Sequence, residues 1–591
     1  MLDKLKSFMT KENIDWFIVF MGDEHLSEYT GECDRYIAAI SSFTGSAGTL
    51  VVTPNESYLF TDSRYHVQAE KQLNGKGITL MKCGLPQVPS AEEFVASHVW
   101  EGQCVAYDQK CVSFAYHEKL KAMLPESALI KDGGDILKNV CDLPEKEFSE
   151  ISAVPNEYAG RTVTQKLEDV RRRIGKKYGD ERSYTYLVSD LASIMWLFNI
   201  RSKDIKHVPV AYSYAIITNY SATLFVNRRS LSKEAQDMLE GAGVIIKQYG
   251  YFYKELEDVA SDIVIADKVK NNCRMLRGFS EQGLLYDCAD PEIIPKAVKN
   301  GSEIQGMKEA HIKDAVVMIR FIMHMKEAAK CGKLPDEYAA GKMLDDMRLK
   351  VCSDLSFSTI CAYGENAAIV HYTAEEKSAA ALLSKSFLLV DSGGQYEMRG
   401  TTDITRTISL GPLTDEEKKV YTLVLKGHLD LMDCVFPSGF EGTFLDGIAE
   451  KPLWDEGYFC GHGIGHGVGC YLCVHESEAG ITRRTKEREV PITPGVIVSC
   501  EPGVYIEGRF GVRTENLLLA TASEDTLGYK MCRFYPLTLV PYDKEAIIAE
   551  MLTKKEKETL KRYYDLIKEK ISPLLEEKER SWLIEQMNLD F

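Results

Sequence analysis

The sequence predicts a mixed α/β (α+β) protein in three consecutive parts: two related αβ domains at 1–160 and 161–295, then a larger α+β domain at 296–591. Three observations lead there. A chain of 591 residues exceeds the size at which a single hydrophobic core keeps growing. A pattern of strand, acidic turn and short helix occurs twice in the first half. Between Leu355 and Leu519, acids and histidines sit inside strand-like apolar runs, where an unpaired charge is costly.

The elements follow in order. Leu2, Leu5, Phe8 and Met9 fall at helical spacing, and Trp16 to Phe20 is an apolar strand. SSFTGSAGTLVVT and SYLFTDSRYHVQA continue the strand-and-helix alternation. After Lys166 a basic amphipathic helix leads into YTYLVSDLASIMWLFNIRS, which echoes IDWFIVFMGDEHLSEYTGE. ADPEIIPKAVKN reads as a connector, and apolar spacing from Ser302 to about Met325 predicts the helix that opens the third domain. The tail, about 543–591, is charged and helical. A capping box spans Thr553 to Glu556, Leu560, Tyr564, Ile567 and Ile571 form one face, and Pro573 is the stop. That face packs on its own domain or serves a dimer.

Composition excludes several classes. With 45% apolar and 27% charged residues the usage is globular. A formal charge of −17 argues against a nucleic-acid surface and against binding to anionic membranes. No run of about 18 apolar residues occurs, so no membrane span is expected. The start lacks a secretory h-region, and 16 scattered cysteines make no disulfide framework. A cytoplasmic protein is the expectation.

SFLLVDSGGQY places Asp391 at a strand end, and GTTDITRTISLG places Asp403 in the next strand across a glycine-containing turn, as in a hairpin. GVIVSCEPGVYI puts Glu501 in a strand; FGVRTENLLLAT puts Arg513 and Glu515 on one face of another, because strand side chains alternate. Between these hairpins lies CGHGIGHGVGCYLCVHE, offering His462, His466 and His475 among glycines that allow close backbone approach. Four carboxylates and an imidazole suit two divalent cations with hard oxygen ligands, Mn²⁺, Mg²⁺ or Fe²⁺. Two such ions can generate a nucleophile, polarise a carbonyl and hold a substrate amine, which is the logic of a two-metal aminopeptidase.

Blander readings stand beside this one. A single Asp ending a strand is commonly a turn residue, His371 in AAIVHYTAEE taken alone is a satisfied histidine, and a glycine–histidine alternation can be a plain loop. His466, Cys470, Cys473 and His475 could form a structural zinc site, though that leaves the four strand carboxylates unexplained. No GxGxxG or P-loop pattern occurs.

At these residues the sequence resembles the long, three-domain, cytosolic aminopeptidase P (Xaa-Pro aminopeptidase) branch of the pita-bread metallopeptidases, related to prolidase and methionine aminopeptidase. The resemblance spans nearly the whole chain. DEHLSEYTGECDRYIAAISSFTGSAGT and TDSRYHVQA carry it in the first domain, SYAIIT and WLFNIRS in the second. KAVKN, HIKDA, AIVHY, DSGGQY, GTTDITRT, VLKGH, GHGIGHGVG, VHE, EPGVY, FGVRTEN and FYPLTLVP carry it in the third. It implies two creatinase-like N-terminal domains and a pita-bread catalytic domain.

The resemblance further implies metal ligands Asp391, Asp403, His466, Glu501 and Glu515, with Asp403 and Glu515 touching both ions, and Mn²⁺ as the metal. It implies that Arg64, His371, His462, His475 and Arg513 bind substrate. It implies peptide substrates with proline second and a homodimeric enzyme. The implied chemistry is attack by a metal-bridging hydroxide on the carbonyl before proline, with His371 or His475 stabilising the oxyanion and Glu501 shuttling the proton. Three departures border the site. The loop from Asp391 to Asp403 is one residue longer than that family's usual form and carries Arg399 where an acid is common. Ser477-Glu478 replaces Gly-Pro after VHE. YGEN lacks the expected proline. A prolidase-like dipeptidase would share the cage, and a binding module that lost its ligands would not.

Overall fold

The two sequence echoes fold into two six-stranded sheets of the same strand order in the computed structural model, which describes residues 1–483, 489–526 and 528–589. The first runs Thr79–Lys82, Ser57–Thr61, Thr49–Val52, Trp16–Phe20, Cys104–Tyr107, Leu129–Asp132. The second runs Val244–Gln248, Ala222–Val226, Tyr214–Thr218, Tyr184–Val188, Ile263–Ala266, Leu285–Asp287. In each, the founding strand pairs antiparallel on one side and parallel on the other, as with Phe17 opposite Val52 and Ala106. These strands read as continuous apolar runs because helices flank the sheet, and Tyr184–Val188 is buried at every position. Both sheets feed one shared apolar cluster, in which Trp16, Val105 and Tyr107 join Leu187, Tyr214, Phe225 and Val264.

Two compact units result: Met1–Pro155 with Arg161–Glu292, and Asn156–Gly160 with Ile293 onward. The first two segments read from the sequence therefore fall in a single unit. Residues 156–160 group with the C-terminal unit. There the Asn300 side chain donates to the Ala159 carbonyl at 2.9 Å, and Arg399 lies 4.6 Å over the Tyr158 ring.

The C-terminal unit opens with the 30-residue helix Gly301–Lys330, started by a capping box between Asn300 and Glu303. Its inward face, including Met307, Ala315, Met318, Ile322 and Met325, is fully or nearly buried. Around it lie a three-stranded sheet, Ile360–Tyr363, Phe387–Ser392 and Ile404–Ser409, and a six-stranded sheet that contains Asn516–Thr526, Ile497–Cys500, Gly465–Gly467 and Glu476–Ile481. The tail helix Lys554–Lys570 is capped by Thr553 and Glu556; Leu560, Tyr564, Ile567 and Ile571 join the main core of the same unit. The tail face therefore packs on its own unit.

Two local expectations need correction. The link from Asp391 to Asp403 is no simple hairpin. Phe387–Ser392 does pair with Ile404–Ser409, but the chain between them forms Gly394–Tyr396 and Gly400–Thr401, which join Asp354–Leu355 in a separate sheet. Gly393 makes the crossing possible, since a Cβ there would meet the Thr402 carbonyl oxygen at 1.9 Å. Asp403, Glu501 and Glu515 also lie just outside strands, at the ends adjoining Ile404–Ser409, Ile497–Cys500 and Asn516–Thr526. Phe510–Arg513 pairs with Gly503–Ile506 as a hairpin of its own, so Arg513 and Glu515 flank a break.

Candidate metal centre

Strand ends bring the carboxylates together. Asp391 closes one strand, Asp403 precedes its neighbour, and Glu515 sits where its backbone N–H donates to the Thr405 carbonyl at 3.2 Å. Side chains two apart share a face, so Asp403 is followed on the same side by Thr405 and Thr407. Thr405 donates to Glu515 Oε2 at 2.8 Å, and Thr407 donates to the Arg513 carbonyl at 2.9 Å. Arg406 points the other way and donates to the Glu515 carbonyl at 2.6 Å, fixing the backbone that presents the acid.

His466 comes from the glycine-rich strand. A Cβ on Gly465 would meet the Ser499 carbonyl oxygen at 1.9 Å, so the glycine permits the approach that sets His466 against Ser499 and Glu501. The His466 N–H donates to Ser499 Oγ at 2.9 Å, and that hydroxyl donates to Glu501 Oε1 at 3.1 Å. His466 Nδ1 faces the Gly467 carbonyl at 2.9 Å, which assigns the proton to Nδ1 and leaves the Nε2 lone pair free to ligate. Nε2 lies 3.4 Å from Asp403 and 3.5 Å from Glu501. One ligand atom each from Asp403, His466 and Glu515 lie within 4.8 Å of one another. Asp391 and Glu501 flank this group.

Charge makes the case for cations. Asp403 and Glu515 are only 4% and 1% exposed. Buried Oδ1 atoms of Asp391 and Asp403 have no hydrogen-bond partner, a costly state unless something cationic meets them. Burial and the neighbouring carboxylates Asp403, Glu501 and Asp391 push Glu515 well above the usual range. Asp391 is raised to about 6 by burial; the Arg513 guanidinium works against this rise, and Asp403 and Glu501 add to it. Four acids facing one guanidinium fit divalent metal, and the oxygen-rich donors with one imidazole match hard or borderline ions. Among the described residues the ligand-like cluster found is Asp403, His466 and Glu515 and includes no cysteine, and Cys470 Sγ turns to the carbonyls of Arg399 and Glu303 at 3.4 and 3.7 Å.

Beside this group runs a second chain of contacts. Arg513 donates to Asp391 at 2.7 Å and to the Tyr505 hydroxyl at 2.7 Å, and that hydroxyl meets His462 Nε2 at 2.6 Å. Tyr505 was not singled out from the sequence, although it lies in the strand directly paired with the one ending in Arg513. Thr405 and Ser499 carry no distinguishing signal in the sequence either, since a hydroxyl at a strand position is common without a site. The His475 ring stacks edge-on to His466 with centroids 4.4 Å apart. His371 is placed half-buried in the turn after the 3₁₀ segment Gly364–Ala368, which packs on the Arg513 strand; its neighbour Tyr372 shares a small apolar cluster with Tyr505. Arg64 belongs to the N-terminal unit, where it forms a two-point ion pair with Asp62 at 2.7–2.8 Å.

The departures find local explanations. Arg399 turns to Glu309 at 3.1 Å and to the Tyr158 ring. Gly364 takes φ +56°, and Asn366 donates to both oxygens of Glu337. Glu478 is buried and paired with Lys296 at 3.3 Å.

The chain is similar to known proteins along its length. Residues 305–522 match the model of metallopeptidase family M24, 530–588 the C-terminal region of peptidase M24, and 1–139 and 142–303 models of the creatinase/prolidase N-terminal domain. A probable Xaa-Pro aminopeptidase P of Metarhizium robertsii is 37% identical over 593 residues, covering 95% of this chain and 94% of the relative. One from Coprinopsis cinerea is 33% identical, covering 98% and 97%. The X-prolyl aminopeptidase of Caenorhabditis elegans, described as a cytosolic enzyme with a di-nuclear active site, superposes with a TM-score of 0.93 at 28% identity, covering 100% of this chain and 99% of that one.

Proposed function

The chain belongs to the Xaa-Pro aminopeptidase P group of metallopeptidase family M24, and from that premise we propose how its residues perform the reaction. It is a metal-dependent aminopeptidase that hydrolyses the bond between the first residue of a peptide and a following proline. The observation that carries the assignment of the site is the buried convergence of Asp403, His466 and Glu515, flanked by Asp391 and Glu501.

In this reading those five side chains hold two divalent ions, Mn²⁺ being the proposed identity. When bound, such ions supply an activated water and polarise the scissile carbonyl. Glu501, its Oε1 already bonded to the Ser499 hydroxyl, carries the proton from the nucleophile toward the departing proline nitrogen. His371 and His475 donate to the carbonyl oxygen as negative charge develops there. Arg513 holds Asp391 in place, and through Tyr505 it orients His462 toward the proline side of the substrate. A proline amide has no N–H for an enzyme to grip and restrains the residue before it, so recognition rests on these side chains. Arg64 is proposed to bind peptide substrate, and the two creatinase-like segments to favour longer substrates. A cytoplasmic location and a homodimer complete the proposal; among the described residues no helix is long and apolar enough to cross a membrane.

The test is Mn²⁺-dependent hydrolysis of Arg-Pro-Pro, run beside an X-Pro dipeptide, with Asp403→Asn and Glu515→Gln. The expected outcome is release of free Arg by the wild type, slower cleavage of the dipeptide, and loss of bound Mn²⁺ and of activity in both variants. An intact tripeptide after metal loading would refute the reading, and preference for the dipeptide would turn it toward a prolidase-like activity.

A further inference from the structure

Away from the carboxylates, four charged side chains are buried together. Lys296 and Lys299 come from the connector around the short helix Ile293–Ala297; Glu476 and Glu478 come from the strand Glu476–Ile481. Their side chains are 1–4% exposed. Lys299 is paired with Glu476, and Lys296 reaches Glu476 at 3.7 Å and Glu478 at 3.3 Å. Two positive and two negative charges balance, yet burying them forfeits hydration that an apolar cluster would not. Such a cluster contributes little net stability, and its best-attested use is to fix register.

Its place shows which register it fixes. Glu476 directly follows His475, and in the sheet Glu476 stands opposite Gly467, which directly follows His466. The backbones are as close as glycine allows, since a Cβ on Gly467 would meet the Glu476 carbonyl oxygen at 2.5 Å. The pairing register shifts between His466 and Gly467, so the ladder alone does not hold the start of the strand that follows His475. The connector is itself anchored. The Lys299 N–H donates to the Gly495 carbonyl at 2.9 Å, Val298 bridges to Val496, and Asn300 caps the long helix. A lysine pair fixed to that frame thus grips the strand at the residue next to His475.

We propose that Lys299 and Glu476 are positioning residues of the hydrolytic step, setting the His475 ring against His466 through this buried charge pair. The inference rests on the role given to His475 above. The experiment compares Lys299→Met, the paired apolar replacement Lys299→Met/Glu476→Leu, and Glu476→Gln. Lys299→Met alone leaves Lys296 facing both Glu476 and Glu478, an unbalanced buried charge, and lowers the thermal midpoint. The double variant removes both charges, so its midpoint returns toward wild type and it still binds two Mn²⁺ per chain. Its kcat on Arg-Pro-Pro falls by about 10²-fold, the cost of misplacing a catalytic group by an ångström, while KM changes by less than about threefold. In its crystal structure the His466 and His475 rings depart from the 4.4 Å edge-on stack. Glu476→Gln keeps shape without charge and shows a smaller loss of kcat of the same kind. An unchanged ring pair, or wild-type kcat in the double variant, overturns the proposal. Should the double variant fail to fold, wild-type kcat in Glu476→Gln overturns it alone. The ring geometry is read without turnover, so failure of the proline-peptidase reading would be seen separately, as a wild type that leaves the tripeptide intact.

Discussion

Tyr505 shows how much of this site is carried by residues that bear no charge. Its hydroxyl takes one bond from Arg513 and meets His462, so Tyr505→Phe breaks the link between the guanidinium that holds Asp391 and the histidine proposed for the proline side, while leaving the ring packed. Loss of one such bond, about 1–1.5 kcal/mol, predicts a roughly tenfold fall in kcat/KM on Arg-Pro-Pro with Mn²⁺ content unchanged. Parallel metal analysis checks it, and a variant that loses metal would instead assign Tyr505 to holding the cage. The acids of the site were legible in the sequence because carboxylates in apolar strand-like runs demand a reason. Tyr505, Thr405 and Ser499 were not, because hydroxyls at strand positions occur for many reasons. Nothing in the sequence alone sets Arg399 against Glu309 rather than toward the site.

Helix and strand boundaries behaved according to how local their determinants are. The capping box at Thr553 depends on residues three apart and is read directly from the sequence, and the structure adds boxes of the same kind at Asn300 and Thr414. Thr553→Ala is expected to cost about 1 kcal/mol, visible as a lowered urea midpoint at unchanged slope. The excursion between Asp391 and Asp403 could not be read, since its strands of two and three residues depend on the pairing of Gly394–Tyr396 with Asp354–Leu355, some forty positions away. One contact between elements carries a pH signature. Asp430 on the helix Asp415–Met432 is raised from 3.8 to about 6, first by burial and then by Glu556 of the tail helix, with Lys426 opposing. A raised carboxyl contributes stability that is full below about 3.8 and lost as pH climbs through about 6. Asp430→Asn should therefore raise the thermal midpoint at pH 7.5 and leave it unchanged near pH 4; equal shifts at both would show that the carboxyl does not titrate there.

On the scale of the whole molecule, the repeated strand–turn–helix pattern foretold two sheets of one design, and the structure gives both the same strand order. All five proposed ligands lie in the C-terminal unit, and each unit has its own apolar core. Calorimetry is expected to resolve two transitions, of which Mn²⁺ raises one. Metal at 100 times its dissociation constant stabilises the unit that binds it by about 2.7 kcal/mol, and the effect should vanish in Asp403→Asn. A single transition that moves as a whole would mean that the two units unfold as one.

The short helix Asn156–Ala159 follows the first αβ segment in the chain yet packs with residues near Asn300. On a ribosome that polymerises about 5–20 residues per second, those partners emerge on the order of ten seconds later. Throughout that interval Arg161–Glu292 can close on Met1–Pro155 while the intervening five residues have nothing to bind. Synthesis therefore leaves a loop in waiting on a half-made protein until the residues around Asn300 emerge to receive it.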